Sequence, residues 1–321
     1  MDKKADCIVI GGGFAGIAAA TELARHGKSV FLLEARPYLG GRARSFVDKE
    51  TGEVIDNGQH LLMGCYTHTL ALLQTLGTRE LLAAQPRMRV DFVDADGSRH
   101  PFDTSRLPGK AGAALGLVLL SGLSVAEKLQ AVKFALLVER NLVQPGTSTV
   151  EEFLHRYKQS PRSIERFWEP IVLATLNAHP REASAFLLAE VLRRAFFADA
   201  RSSQLLFPAA GLSELLSPFP QWLQAHGGTI CHVTAEALLT EGNRVVGITT
   251  DAGALYADTV ISCIPARALS RLLAEKPLSV EPVPEMQYSP IVSVYLWVDK
   301  AFLQEHFFAM LGTTIQWIFN R

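Results

Sequence analysis

Apolar and polar positions alternate along the chain in a way that first predicts a strand, a helix and a strand. Cys7–Ile10 is a short apolar run between Asp6 and a glycine cluster, the pattern of a buried parallel strand. Phe14–His26 follows with Ile17, Ala20, Leu23 and Ala24 on one helical face and Gly27 placed to cap its end. Ser29–Leu33 is a second apolar strand, ending at Glu34. Three such elements within about thirty residues make a βαβ unit.

The middle of the chain changes period. Apolar residues recur at helical spacing over 70–82, 124–140, 150–157 and 182–197, with strands expected at 89–94 and 99–102 around the Asp96-Gly97 turn signal. After Gly211 a helix over 212–226, a strand starting at 229–233, a hairpin through Gly253 and a buried strand to Cys263 bring back the earlier character. Ile291–Val298 reads as one more strand. The expected fold class is α/β: a discontinuous, Rossmann-like dinucleotide-binding domain over residues 1–75 and 207–288, with a largely helical domain inserted over 76–206 and completed by 289–321.

Composition narrows the function classes. Lys and Arg number 31 and Asp and Glu 32, so the balance offers no basic surface for nucleic acid. Hydrophobic residues make up 48% of the chain, compatible with a large core and with a pocket for an apolar ligand. Cys7, Cys65, Cys231 and Cys263 lie far apart without a C-x-x-C pair, which points to neither a disulfide framework nor zinc and favours a reducing cytosol. The N-terminus has no separate apolar region of a signal peptide. The longest uncharged stretch, Ala111–Ala126, is shorter than the ~20 residues a membrane crossing needs. It reads either as a buried helix or as a segment lining a lipid pocket or touching a membrane surface, with Leu117 and Leu119 as its apolar members.

Gly11-Gly12-Gly13-Phe14-Ala15-Gly16 is a G-x-G-x-x-G between the first strand and the first helix. Gly11 permits the tight turn, Gly13 lets backbone approach a pyrophosphate, and Gly16 lets helix and strand pack closely. The N–H groups at Phe14 and Ala15, with the positive end of the helix, then favour phosphate. Glu34 stands eighteen residues after Gly16, at the tip of the second strand. A carboxylate there accepts from ribose hydroxyls and repels a 2′-phosphate, so NADP is disfavoured as the resident nucleotide. Beyond it, Gly40-Gly41-Arg42-Ala43-Arg44 again combines close backbone approach with a guanidinium able to pair with a diphosphate.

Glu34-Ala35-Arg36 followed by Leu39-Gly40-Gly41-Arg42 resembles the second FAD signature of the amine oxidase and phytoene desaturase-like flavoproteins. Asp56-Asn57-Gly58-Gln59-His60-Leu61-Leu62-Met63-Gly64-Cys65-Tyr66 is similar, within that group, to the hydroxysqualene dehydroxylases of hopanoid biosynthesis. Trp168-Glu169-Pro170-Ile171, Leu176-Asn177, Leu206-Phe207-Pro208 and Gln316-Trp317-Ile318-Phe319 extend that resemblance over most of the chain. It implies FAD held by Gly11, Gly13, Phe14, Ala15, Gly16, Glu34, Ala35, Arg36, Gly41 and Arg42, with Gly58 near the isoalloxazine and the Val233 backbone at the adenine. The family's third FAD element, a Gly-Asp strand end, is not found, and the end at Arg321 reads as that of a truncated member lacking the last third of the FAD domain.

The same resemblance implies reduction of hydroxysqualene to squalene, with NAD(P)H as a possible external reductant, in the cytoplasm or peripherally at the inner face of the cell membrane. Protonation of the leaving hydroxyl then needs an acid, for which His60 and Asp56 are the first candidates and Glu169 a third. Each also has a plain structural reading: Asp56 as a turn-holder, His60 as a hydrogen-bonded core residue, Glu169 as a surface or capping residue. His179 and His232 receive no role. Three alternatives stay open: a carotenoid-type desaturase, a flavin amine oxidase, and a non-catalytic prenyl-lipid-binding protein on the same scaffold.

Overall fold

The computed structural model describes residues 3–104, 107, 109–199, 201–274, 281–300 and 303–320. The chain forms two compact units: Met1–His60, Thr67–Leu82 and Pro208–Tyr288 in the first, Leu61–Tyr66, Ala83–Phe207 and Ser289–Arg321 in the second. The expected boundary at 75/76 is therefore more finely divided. Leu61–Tyr66 leaves the first unit because Leu62 and Met63 pair with Leu206 and Leu205, whereas the helix Thr67–Leu76 returns to it.

The first unit is built on a six-stranded sheet. β1 (Lys3–Ile10) leads through α1 (Phe14–Arg25) to β2 (Val30–Leu33), which lies parallel beside it. Thr229–Cys231 pairs parallel outside β2, and Gly253–Ser262 pairs parallel on the other side of β1. Arg244–Thr250 and Ala235–Glu241 complete the sheet as antiparallel strands. Ile8 and Ile10 pack with Leu33, Leu238, Ile248, Leu255 and Leu272. Strand side chains alternate, so Val9 needs cover on the opposite face, and it too is fully buried. In α1, Ile17, Ala20 and Ala24 are buried at helical spacing.

Two local expectations differ here. The strand after Gly228 ends at Cys231, so Val233 sits in the turn beyond it, its N–H donating to the Cys231 carbonyl at 3.0 Å. The helix expected over 212–226 is a 3-10 turn, Leu212–Leu216, followed by a separate helix, Phe219–Ala225. Pro218 and Pro220 supply no backbone N–H and break the ladder. Ala235–Glu241 forms a further strand, paired antiparallel with Arg244–Thr250.

The second unit joins helices to a four-stranded sheet in the order Trp317–Phe319, Phe307–Met310, Arg89–Val93, Arg99–Asp103. Its core is aromatic: the Phe134 ring lies 5.4 Å from Phe153 and 5.3 Å from Trp168, both edge-on. The helices Val125–Glu139 and Val150–Arg156 each begin with a capping box, Ser124 with Glu127 and Thr149 with Glu152. A π-helical turn, Ile164–Trp168, precedes Pro170, whose missing N–H unsettles the regular ladder just there. Ile291–Val298 is not a strand. Alternation alone cannot form a ladder, and among the described residues no neighbouring strand pairs with it; Val292 is 86% exposed.

Candidate functional site

The candidate nucleotide site lies wholly in the first unit. Gly11 donates its N–H to the Leu33 carbonyl at 2.8 Å, joining the ends of β1 and β2. A side chain at Gly16 would put a Cβ 1.7 Å from the Gly11 carbonyl oxygen, so glycine there is a packing requirement. Gly13 is different. A Cβ added there meets only the Gly41 α-carbon, at 4.0 Å, so the space above it is open. Gly40 donates its N–H to the Gly12 carbonyl at 2.9 Å and bridges Gly13, bringing the second glycine pair against the first. The result is a cradle of bare backbone.

Gly13 is the N-cap of α1, and no side chain among the described residues caps that helix start. Phe14 and Ala15 therefore begin the helix with N–H groups left to a ligand and with the positive end of the helix dipole beside the cradle. Glu34 closes the rim: Oε2 accepts the Gly12 N–H at 2.8 Å and Oε1 accepts the Arg36 N–H at 2.9 Å. Each carboxylate oxygen retains a second lone pair for a hydroxyl. Ala35 is exposed beside it.

The arginines divide. Arg36 Nη1 donates to the Tyr38 hydroxyl at 2.9 Å, and the Arg44 guanidinium lies over the Tyr38 ring at 4.2 Å. The Arg42 side chain is exposed, and its carbonyl accepts from Asn57 Nδ2 at 3.1 Å. His232 makes a contact that its isolation in sequence hides: Nδ1 lies 2.7 Å from the Arg36 carbonyl, which can only accept, so Nδ1 carries the proton. Val233 follows it in the same turn, with its N–H occupied.

The two acid candidates of the first unit have different surroundings. Asp56 is 1% exposed, and its Oδ1 accepts from the Ser45 hydroxyl at 2.6 Å and from the Leu212 N–H at 2.9 Å. It ties a two-stranded hairpin, Ser45–Val47 with Val54–Asp56, to a turn more than 150 residues away. His60 is half-buried, with Nδ1 2.9 Å from the Gly58 carbonyl. That carbonyl cannot donate, so Nδ1 holds the proton and Nε2 is the atom able to exchange one. Gly58 itself is buried with φ +102°, a conformation that glycine accepts readily. In the second unit Glu169 faces His179, Oε1 to Nε2 at 3.6 Å. Those two residues, ten apart in no recognisable motif for pairing, meet because Asn177 turns the chain left-handed at φ +48° after the helix Glu169–Leu176. Burial pushes the Cys263 thiol up, leaving it a neutral packing group behind the glycine turn. Among the described residues no cluster of metal-ligating side chains occurs, and no helix is long and apolar enough to cross a membrane.

The chain is similar to known proteins in sequence and in fold. The family model of flavin containing amine oxidoreductases matches residues 14–320. Hydroxysqualene dehydroxylase from Rhodopseudomonas palustris is 32% identical over 83% of this chain and 63% of its own length. Zeta-carotene desaturase from Solanum lycopersicum is 27% identical over 92% of this chain and 55% of its own. An oxidoreductase structure from Methanosarcina mazei superposes with TM-score 0.65 at 19% identity, covering 86% of this chain and 62% of the other. The chain thus spans less than two thirds of the length of each. With its α/β fold, its two glycine turns in contact and its matched length, the chain belongs to the flavin containing amine oxidoreductase family.

Proposed function

We propose that this chain forms part of an FAD-dependent oxidoreductase that reduces hydroxysqualene to squalene. The observation that carries the flavin half of the reading is the cradle between Gly13 and Gly41, open above Gly13 and bordered by an uncapped helix start. A dinucleotide pyrophosphate needs that combination: backbone donors, no side chain in the way, and a positive dipole end. Gly11, Gly13, Gly16 and the Phe14 and Ala15 N–H groups would hold the pyrophosphate. Glu34 would accept from the adenosine ribose, Arg42 would supply a free guanidinium to the diphosphate, and the Val233 carbonyl would face the adenine. Ala35 and Arg36 would contribute backbone at the same rim, and Gly58 would lie near the flavin ring, as the family resemblance implies.

Bound reduced flavin would supply the hydride that replaces the hydroxyl, and a nicotinamide nucleotide is the proposed outside source of reducing equivalents. The protein's own part is proton delivery. His60, its Nδ1–H fixed by the Gly58 carbonyl, would give a proton from Nε2 to the departing hydroxyl and return as neutral imidazole. Asp56, with its Oδ1 already engaged by a hydroxyl and an N–H, is assigned the task of holding the turn on which that histidine sits. The choice of substrate is supported by the likeness to the Rhodopseudomonas enzyme and by the Asp56–Tyr66 string.

Anaerobic incubation of the full-length reduced protein with hydroxysqualene tests the reading, with squalene expected by mass. More highly unsaturated products from squalene or phytoene would instead favour the desaturase reading, which the Solanum relative supports. A colourless full-length protein that still binds prenyl lipid would favour a non-catalytic carrier.

A further inference from the structure

The antiparallel helices Gly109–Leu119 and Val125–Glu139 of the second unit are tied at their far ends by an ion pair between Lys110 and Glu139. The turn between them is anchored inward by Leu120 and Leu123, and Leu117 is 5% exposed, part of the same core. Val118 and Leu119 just before the turn, and Val125 just after it, are exposed. Along the second helix, Leu129 and Leu136 continue the exposed set at 61% and 44%. Positions 125, 129, 132 and 136 advance by four, three and four residues, which places them on a single helical stripe. Val132 lies half-buried in that stripe. A shallow groove beside it is lined by Leu129, Val132, Lys133, Leu136, Leu137 and Arg140.

We propose that this stripe is a docking surface for an anionic lipid bilayer. Charge decides the occupant. Lys133 and Arg140 are exposed along the apolar stripe. The acids of the same helix are both engaged: Glu127 accepts from the Ser160 hydroxyl at 2.6 Å and the Ser124 N–H at 2.8 Å, and Glu139 pairs with Lys110. An apolar ridge edged by cations fits the headgroup boundary of a bilayer, where apolar side chains enter about 5–10 Å and Lys and Arg meet lipid phosphate. The expectation that Leu117 joins Leu119 at such a surface is corrected: at about 100° per residue, positions two apart point to nearly opposite sides of a helix, and Leu117 belongs to the core. The proposal stands on this surface and not on the reaction.

Flotation of the full-length protein with vesicles of phosphatidylcholine, with and without phosphatidylglycerol, tests it without requiring turnover. Binding is expected on phosphatidylglycerol vesicles and is expected to fall with salt. Leu129→Glu with Leu136→Glu should reduce the vesicle-bound fraction about tenfold or more, and Lys133→Gln with Arg140→Gln about tenfold on the anionic vesicles only. All four side chains are exposed, so melting temperatures should match the wild type; if the glutamates lower it, the Leu129→Gln and Leu136→Gln pair carries the test. Absence of wild-type flotation, or variants that float like the wild type, would overturn the proposal. A leucine variant that turns a dimer into a monomer in sedimentation while floating unchanged would give the ridge to a second copy of the chain instead.

Discussion

Gly12 donates its backbone N–H to Glu34 Oε2 at 2.8 Å, so the acid that closes β2 is oriented by the glycine turn it serves. With the Arg36 N–H on Oε1, both oxygens are held while keeping capacity for a ligand. Glu34→Gln replaces one acceptor by a donor that faces an N–H. Hydrogen bonds to charged groups contribute about 1.5–3 kcal/mol, so FAD affinity should fall about ten- to hundredfold in a fluorescence titration.

Gly13 and Gly16, at the start of α1, separate binding from folding. Gly16→Ala drives a methyl into the Gly11 carbonyl, so the variant should lose both thermal stability and flavin. Gly13→Ala meets open space. It should leave the flavin-free melting temperature nearly unchanged and still abolish most flavin retention, because the methyl occupies the cradle. Paired melting curves with and without FAD read the difference, and equal behaviour of the two variants would remove the cradle from the binding site.

His60 and Asp56 should fail in opposite ways. Asp56→Ala strands the Ser45 hydroxyl and the Leu212 N–H in a buried site and should cost about 2–4 kcal/mol in urea unfolding. His60→Gln should keep stability and flavin content while lowering turnover about 10²–10⁴-fold, the usual contribution of a general acid. A stable but inactive Asp56→Ala would exchange the two roles.

Acid should loosen the second unit through Asp94. Its Oδ2 accepts from Arg166 Nη2 at 2.5 Å and His100 Nε2 at 2.8 Å, while His100 Nδ1 reaches the Ser121 hydroxyl at 2.8 Å. The Arg166 hydrogen bond, and after it that of His100, hold the Asp94 carboxyl below its ordinary value against the opposing effect of burial. A pKa lowered by folding stabilises fully above the unfolded value of about 3.9 and less as pH falls through the folded one. Asp94→Asn should therefore be less stable at neutral pH and show a shallower acid limb. Urea unfolding from neutral pH to about pH 2 should bring the two proteins together at the acid end.

What could be read from residues alone was short in range. The glycine turn, α1 and β2 are neighbours in sequence, so spacing, one helical face and the acid at a strand tip located the cradle before any coordinates. Long-range pairing decided the rest. Ile291–Val298 has the alternation of a strand without a partner for it among the described residues, while Ala235–Glu241 became one beside Arg244–Thr250. Asp56 could not be separated from His60 until Leu212 came within 2.9 Å of it. Nor did composition say which of Leu117 and Leu119 faces outward. Local geometry is carried by φ/ψ preference and period, both written in adjacent residues; burial and hydrogen-bond partners depend on which distant segment arrives, and only the folded chain supplies that.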